Sequence, residues 1–292
     1  MGVRAAALAG QWYPGDRAGC RSFLDAALAR RLPSPIPGPL LGGVVPHAGW
    51  VSSGEIAALV FRALAAEDPE RTVIVLGAVH RYGLDRPAIS PDAAWETPLG
   101  DLPVDGSLAE EVSRSCPDLV DVDADAHVPG ENSIELQAAL VRGLMPEARF
   151  LPILVPPTAA AVPFGDALGR MLAASGNPAV VVASTDLTHY GYGGWHPAGA
   201  GPEAVRWVRE ENDRRFLDLV VTLSAERIVP EAEENRNACG AGATAAAVSA
   251  VRAMGARRGQ VLAQTTSEDV RPSGSFDHFV GYGGVVFTRS PS

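Results

Sequence analysis

Four short, largely apolar runs constrain this chain most: Leu41–Pro46, Thr72–Gly77, Phe150–Val155 and Ala179–Ser184. Each has the length of a strand and is rich in Val, Ile and Leu. A run with no polar alternation fits a strand covered on both faces, as in a parallel sheet. Between the runs the pattern turns helical. Helices are expected over 17–31, 107–115, 163–174, 203–221, 224–233 and 240–256, with a Pro-rich connector PSPIPGP after the first. Two more start at SSGEIAALVFRALAA and NSIELQAALVRGL, where Ser52/Glu55 and Asn132/Glu135 have capping-box spacing. Two final strands, 260–267 and 279–288, lack an intervening helix and are expected to pair antiparallel. The expected fold class is α/β, with a central mostly parallel or mixed β-sheet and helices on both faces. No repeat or long linker interrupts the 292 residues, so 1–292 reads as a single domain.

Composition removes several function classes. Apolar residues make up 47%, enough surface to offset the entropy of ordering. No apolar run reaches the roughly 20 residues of a membrane span, so no membrane partner is expected. The N-terminal apolar stretch is too short for a secretory signal, and the expected location is cytoplasmic. The net charge of −10 argues against a nucleic-acid partner. All 24 basic residues are Arg, which excludes Schiff-base chemistry, a P-loop lysine and a lysine general base. Three widely spaced Cys (20, 116, 239) are no disulfide framework. There are six His, few enough to follow one by one.

The chemistry-bearing residues gather at strand exits, where open α/β sheets carry their sites. His47 follows the first run in VVPHAGW. His80 follows the second in VIVLGAVH. Asp186 and His189 follow the fourth in VVVASTDLTHYG, and Cys239 sits in the turn NACGAG at a helix start. Two imidazoles with a thiolate or carboxylate are a divalent-metal set that leaves positions open for substrate. From residue types alone, either Cys239 or Asp186 serves as the third ligand. Asp186 and His189 also suit orienting or acid/base work beside a metal. Glu131 suits either a hydrogen bond to a site residue or a helix start. His196 lies in a Gly-rich loop, and His278 reads as structural.

These residues, with their surroundings, resemble the Memo family, whose fold is that of the class III extradiol ring-cleaving dioxygenases. The matching segments are AGQWYPGD (9–16), PHAGWVSSGEIAA (46–58), VIVLGAVH (73–80), TPLGDLPVD (97–105), ENSIELQ (131–137), LPILV (151–155), ASTDLTHYG (183–191), ACG (238–240) and VGYGG (280–284). They are collinear over nearly the whole chain. The resemblance implies metal ligation by His47, His80 and Cys239, with His189 as acid/base and Asp186 beside it. It implies a substrate pocket that takes in Trp50, His127 and Tyr190. Two positions depart from the family pattern: Trp50 stands where a Tyr is usual, and Asn132 replaces the His of Glu-His-Ser.

The implied function is a metal-dependent oxidoreductase, an extradiol-type dioxygenase acting on a catechol or aminophenol-like aromatic with O2. The implied cofactor is a divalent metal, Fe(II) ahead of Cu or Zn. A homo-oligomer is compatible with the sequence. The alternatives are a non-catalytic metal-binding or peptide-binding protein with a vestigial site, and a Cys239-dependent hydrolase with His189 and Asp186 as base and orienter.

Overall fold

The computed structural model describes residues 2–29, 36, 38–80, 83–127 and 130–289. Most of the Pro-rich connector, and residues 30–31 of the first expected helix, lie outside these. The strands are β1 (Val3–Arg4), β2 (Leu40–Val45), β3 (Val73–Gly77), β4 (Ala88–Ile89), β5 (Ala94–Trp95), β6 (Leu102–Pro103), β7 (Asp121–Val122), β8 (Phe150–Leu154), β9 (Val180–Ser184), β10 (His189–Tyr190), β11 (Ala256–Thr266) and β12 (Phe279–Arg289). The helices are α1 (Arg17–Ala29), α2 (Glu55–Ala65), α3 (Gly106–Ser115), α4 (Asn132–Leu144), α5 (Ala161–Ser175), α6 (Pro202–Trp207), α7 (Asp213–Val221), α8 (Ala225–Asn235), α9 (Ala241–Ala253) and α10 (Ser267–Val270).

The large sheet runs β10-β12-β2-β9-β3-β8-β4-β7, with β11 paired to β12. Its centre, β2-β9-β3-β8, is parallel. The flanks, β12 against β2 and β4 against β8, are antiparallel. The two last strands pair antiparallel, as their lack of an intervening helix predicts. A small three-stranded sheet, β1-β5-β6, sits apart.

The central strands lack polar alternation because both faces are covered. Along β3, Val73 and Val75 enter one core while Ile74 and Leu76 enter the other. The same alternation holds in β9, where Val180 and Val182 oppose Val181 and Ala183. One core packs under α1, α2 and α4; the other packs under α3, α5, α7, α8 and α9. The Ala-rich α9 is buried along most of its length, and small side chains let it lie close to the sheet. No helix among the described residues is long and apolar enough to cross a membrane.

Neither expected capping box forms. Residues Trp50–Gly54 already make a wide π-helical turn, so α2 continues a helical path with no side-chain cap at Gly54. At α4 the cap is Glu131, whose side chain accepts from the backbone N–H of Ser133 and Ile134. Glu135 is drawn instead into a buried ion pair with Arg4 at 2.7 Å. The expected helix over 203–221 is one helical path broken by a second π-helical turn, Val208–Asn212.

Candidate metal centre

Three adjacent parallel strands, β2, β9 and β3, end side by side. Val45 pairs with Ser184, and Leu76 with Ala183. The residues just beyond these ends, His47, Asp186 and His80, therefore emerge at one edge. Cys239 arrives from the turn before α9. That turn needs Gly240, because a Cβ there would lie 2.4 Å from the Ser184 carbonyl oxygen. Gly240 N–H donates to Thr185 Oγ1 at 2.9 Å, which ties the turn to the end of β9.

His47, His80 and Cys239 converge so that one ligand atom from each lies within 4.8 Å of the others. Cys239 Sγ is 3.2 Å from His47 Nε2, and the two imidazole rings meet edge-on at 5.1 Å. His47 is buried, Cys239 half-buried, and His80 faces open space.

The surrounding hydrogen bonds fix which nitrogens face inward. Ser184 Oγ donates its only proton to the Ser133 carbonyl at 2.6 Å. His47 Nδ1, 3.0 Å away, must therefore donate to Ser184 Oγ, and its Nε2 presents a lone pair to Cys239. His80 Nδ1 donates to Glu131 Oε1 at 3.1 Å, leaving its Nε2 free in the same way. Burial pushes the Glu131 carboxyl up, but bonds from His80 and Ser133 outweigh it and hold the carboxyl below its usual range. Glu131 thus fills both roles open to it in the sequence. It starts α4 and orients a ligand, as carboxylates behind ligating imidazoles do. Glu131→Gln is expected to weaken metal binding by about 10- to 100-fold. Competition against a chelating dye measures it, and an unchanged affinity rejects the orienting role.

Charge states also suit a cation. Burial, then the neighbouring His80, lowers the His47 pKa to about 3, so the imidazole stays in its neutral, ligating form. Burial and Asp186 push the Cys239 thiol well above its ordinary value. A thiol in this position ionises when a metal takes its proton's place. Two imidazoles whose Nδ1 atoms are hydrogen-bonded away from the cluster and one thiol that a cation can deprotonate fit a divalent metal. The described residues could therefore hold a metal ion on His47, His80 and Cys239.

Asp186 stands outside the group of close donor atoms. Its Oδ1 accepts from the backbone N–H of His47 at 2.7 Å and of Ala48 at 3.2 Å, clamping the turn that carries His47. Burial outweighs these bonds and raises its pKa. Its backbone N–H points at Cys239 Sγ, 3.3 Å away. His189 Nε2 is buried and has no hydrogen-bond partner. Burial lowers the His189 pKa against the pull of Asp186, so the ring rests neutral.

Of three residues expected along a substrate pocket, His127 and Tyr190 are seated in packing, while Trp50 is packed but also lines a second cavity of about 600 Å³ with Phe23, Ser52 and Glu55. Trp50 is buried against Tyr13 and Phe23, with its indole N–H donating to the Leu136 carbonyl. Tyr190 stacks on Phe279, and its hydroxyl donates to the Gly199 carbonyl at 2.6 Å. His127 lies edge-on to Trp95, its Nε2 donating to the Ala88 carbonyl at 2.8 Å. None lines the cavity of about 200 Å³ beside His80, which is walled by Val79, Leu84, Ala126, Leu154, Asp123 and Glu131 among others. His196 donates to the Asp277 carbonyl at the surface.

Residue-type reasoning missed several supports. Gln137 donates to the Pro46 carbonyl and to Ser184 Oγ. Asn132 donates to the His47 carbonyl at 3.1 Å. The start of α4 thus grips the turn bearing His47. Ser184 closing an apolar strand was the one local signal that a polar contact waited there.

The family model described as Memo-like protein matches residues 4–286. The MEMO1 family protein MK0963 of Methanopyrus kandleri is 34% identical, over 98% of this chain and 99% of its own. The MEMO1 family protein TK1477 of Thermococcus kodakarensis is 33% identical, over 98% of this chain and 100% of its own. Among solved structures, uncharacterized protein JW3007 from Escherichia coli K12 is similar, with a TM-score of 0.54 and 11% identity. That match covers 85% of this chain and 99% of the other. At that identity the likeness is one of fold.

Proposed function

The chain belongs to the Memo family, and from that premise we propose that it is a metal-dependent oxidoreductase of the extradiol dioxygenase type. Its substrate would be a small catechol or aminophenol-like aromatic, with O2 as co-substrate. The observation that carries the reading is the unpartnered, buried Nε2 of His189 beside the His47, His80 and Cys239 cluster. A buried imidazole nitrogen without a partner costs free energy. A substrate hydroxyl is the partner such a nitrogen accepts, and a protein that only stored metal would gain nothing by keeping it.

The metal, Fe(II) in this reading, would be held by His47 Nε2, His80 Nε2 and Cys239 Sγ. When bound it supplies Lewis-acid and one-electron chemistry toward a chelating aromatic and O2. The chain's own residues do the rest. His189, neutral at rest, takes a proton from the substrate hydroxyl at Nε2 and later returns it. Asp186 favours the imidazolium that forms, since its charge opposes the lowering of the His189 pKa. The cavity of about 200 Å³ beside His80 is walled by Val79, Leu84, Leu154, Asp123 and Glu131 among others, and its walls do not include His47, His189 or Cys239.

His189→Gln is expected to reduce turnover by about 100- to 10,000-fold while metal content stays unchanged. Oxygen uptake by Fe(II)-loaded protein with catechol and 2-aminophenol measures it. Absence of uptake by the wild type with every such aromatic rejects the dioxygenase reading and favours a metal-holding protein. The hydrolase alternative finds little support. A nucleophilic cysteine needs a lowered pKa, and burial drives Cys239 the other way. Its near neighbour His47 is too weak a base to take the proton.

A further inference from the structure

Behind the candidate centre lies a second polar cluster that the proposed chemistry does not use. Asp213 opens α7 directly after the π-helical turn Val208–Asn212. The wide turn brings two consecutive residues, Asn212 and Asp213, inward together; they are 1% and 0% exposed. Such turns recur at functional sites. Asp213 Oδ1 accepts from both Thr188 N–H at 3.0 Å and Thr188 Oγ1 at 2.5 Å. Asn212 Nδ2 donates to Thr188 Oγ1 at 2.9 Å. Asn237 Nδ2 donates to the Asn212 carbonyl, also at 2.9 Å.

The connections matter because of what the two ends carry. Thr188 lies between Asp186 and His189, and Asn237 lies two residues before Cys239. Asp186 N–H reaches Cys239 Sγ, and Cys239 N–H reaches the Asp186 carbonyl, each at 3.3 Å. The segment VGYGG converges here as well. Gly281 exchanges backbone bonds with Leu187 and Thr188. A Cβ on Gly281 would lie 2.0 Å from Asp213 Oδ2, so only glycine leaves room for the carboxylate. That oxygen is buried and has no well-formed hydrogen bond; the Gln264 amide, whose own Nε2 donates to the Arg209 carbonyl, lies near the carboxylate. Burial pushes the Asp213 carboxyl up to about 7.

We propose that Asp213 is a positioning residue that sets Asp186, His189 and Cys239 against one another, through Thr188 on one side and the Asn212–Asn237 link on the other. It touches neither substrate nor metal. The inference rests on the reading of His47, His80 and Cys239 as a metal set, and it deepens that reading.

The test uses the full chain, with Asp213→Ala, Asp213→Asn and Thr188→Val beside wild type. Co2+ is the metal probe, read by its thiolate absorption and by titration. A second readout needs no metal: the native-state alkylation rate of Cys239, with the buried Cys20 and Cys116 as internal references. Asp213→Ala is expected to bind Co2+ about tenfold more weakly with altered thiolate absorption. Cys239 alkylation should rise by about tenfold while Cys20 and Cys116 keep their rates. Asp213→Asn, whose amide oxygen still accepts from Thr188, should restore most of both. Should Asp213→Ala fail to fold, Thr188→Val must move both readouts in the same direction. Wild-type values in the folded variants overturn the proposal, and so does equal acceleration of all three cysteines, which reports only lost stability. If wild type takes up no Co2+, the metal reading fails, and the alkylation rates still decide the role of Asp213.

Discussion

Cys239→Ala and His47→Ala should each lower metal retention by about 100-fold or more, beyond the loss caused by removing an outer hydrogen-bond partner. Donor number and charge set the size of the loss. Among the described residues, the grouping of three close donor atoms is His47, His80 and Cys239. Removing Cys239 deletes the one donor that becomes anionic on binding, so the ion loses charge compensation as well as a bond. Removing His47 deletes the donor whose tautomer is fixed from behind by Ser184 and Gln137. Elemental analysis after dialysis against a chelator measures retention, with circular dichroism to confirm the fold. Metal content equal to wild type in both variants would mean that this cluster is not the metal site.

Glu135→Ala should cost about 3–5 kcal/mol of stability, because it removes a buried carboxylate that accepts from the Arg4 guanidinium, a backbone N–H and a hydroxyl at once. Glu135 Oε2 accepts from Arg4 Nη1, and Oε1 accepts from Leu8 N–H and the Tyr13 hydroxyl. The Arg4 and Glu135 side chains are 4% and 1% exposed, so water cannot replace the lost partner. Arg4 also lies over the Trp95 ring and bonds the His127 carbonyl, so it cannot swing out to solvent cheaply. Urea unfolding gives the difference. Replacing both members with apolar residues should cost less than Glu135→Ala alone, since the guanidinium's charge is removed along with the carboxylate's. A loss under about 1 kcal/mol for Glu135→Ala would mean that the pair is solvated.

The central sheet was legible because its strands are continuous apolar runs, a local signal that burial on both faces produces. His47, His80 and Cys239 were legible because they are scarce residue types at strand exits and match family segments. What stayed hidden was set by contacts far apart in sequence. Glu135 has capping spacing with Asn132, yet Arg4, 131 residues away, takes its carboxylate. Trp50 and Tyr190 stand next to site residues in sequence. Side chains of neighbouring residues leave the backbone in different directions, and both rings point into packing. The Asn212, Asp213 and Asn237 cluster gave no motif, because the π-helical turn that brings the first two inward cannot be read from periodicity.

The convergence of four strand exits and turns has a consequence for how the protein is assembled. His47 and Cys239 are 192 positions apart, and β9, which seats Ser184 beneath them, comes late in the chain. No early fragment contains the ion's seat. A metal held there would therefore bind only the finished sheet, and by mass action would draw the population toward it. At a free metal concentration 100 times the dissociation constant, that linkage adds about 2.7 kcal/mol to the folded state. A cell short of metal would then hold a less durable protein as well as an unloaded one, and degradation would fall on the unloaded copies first.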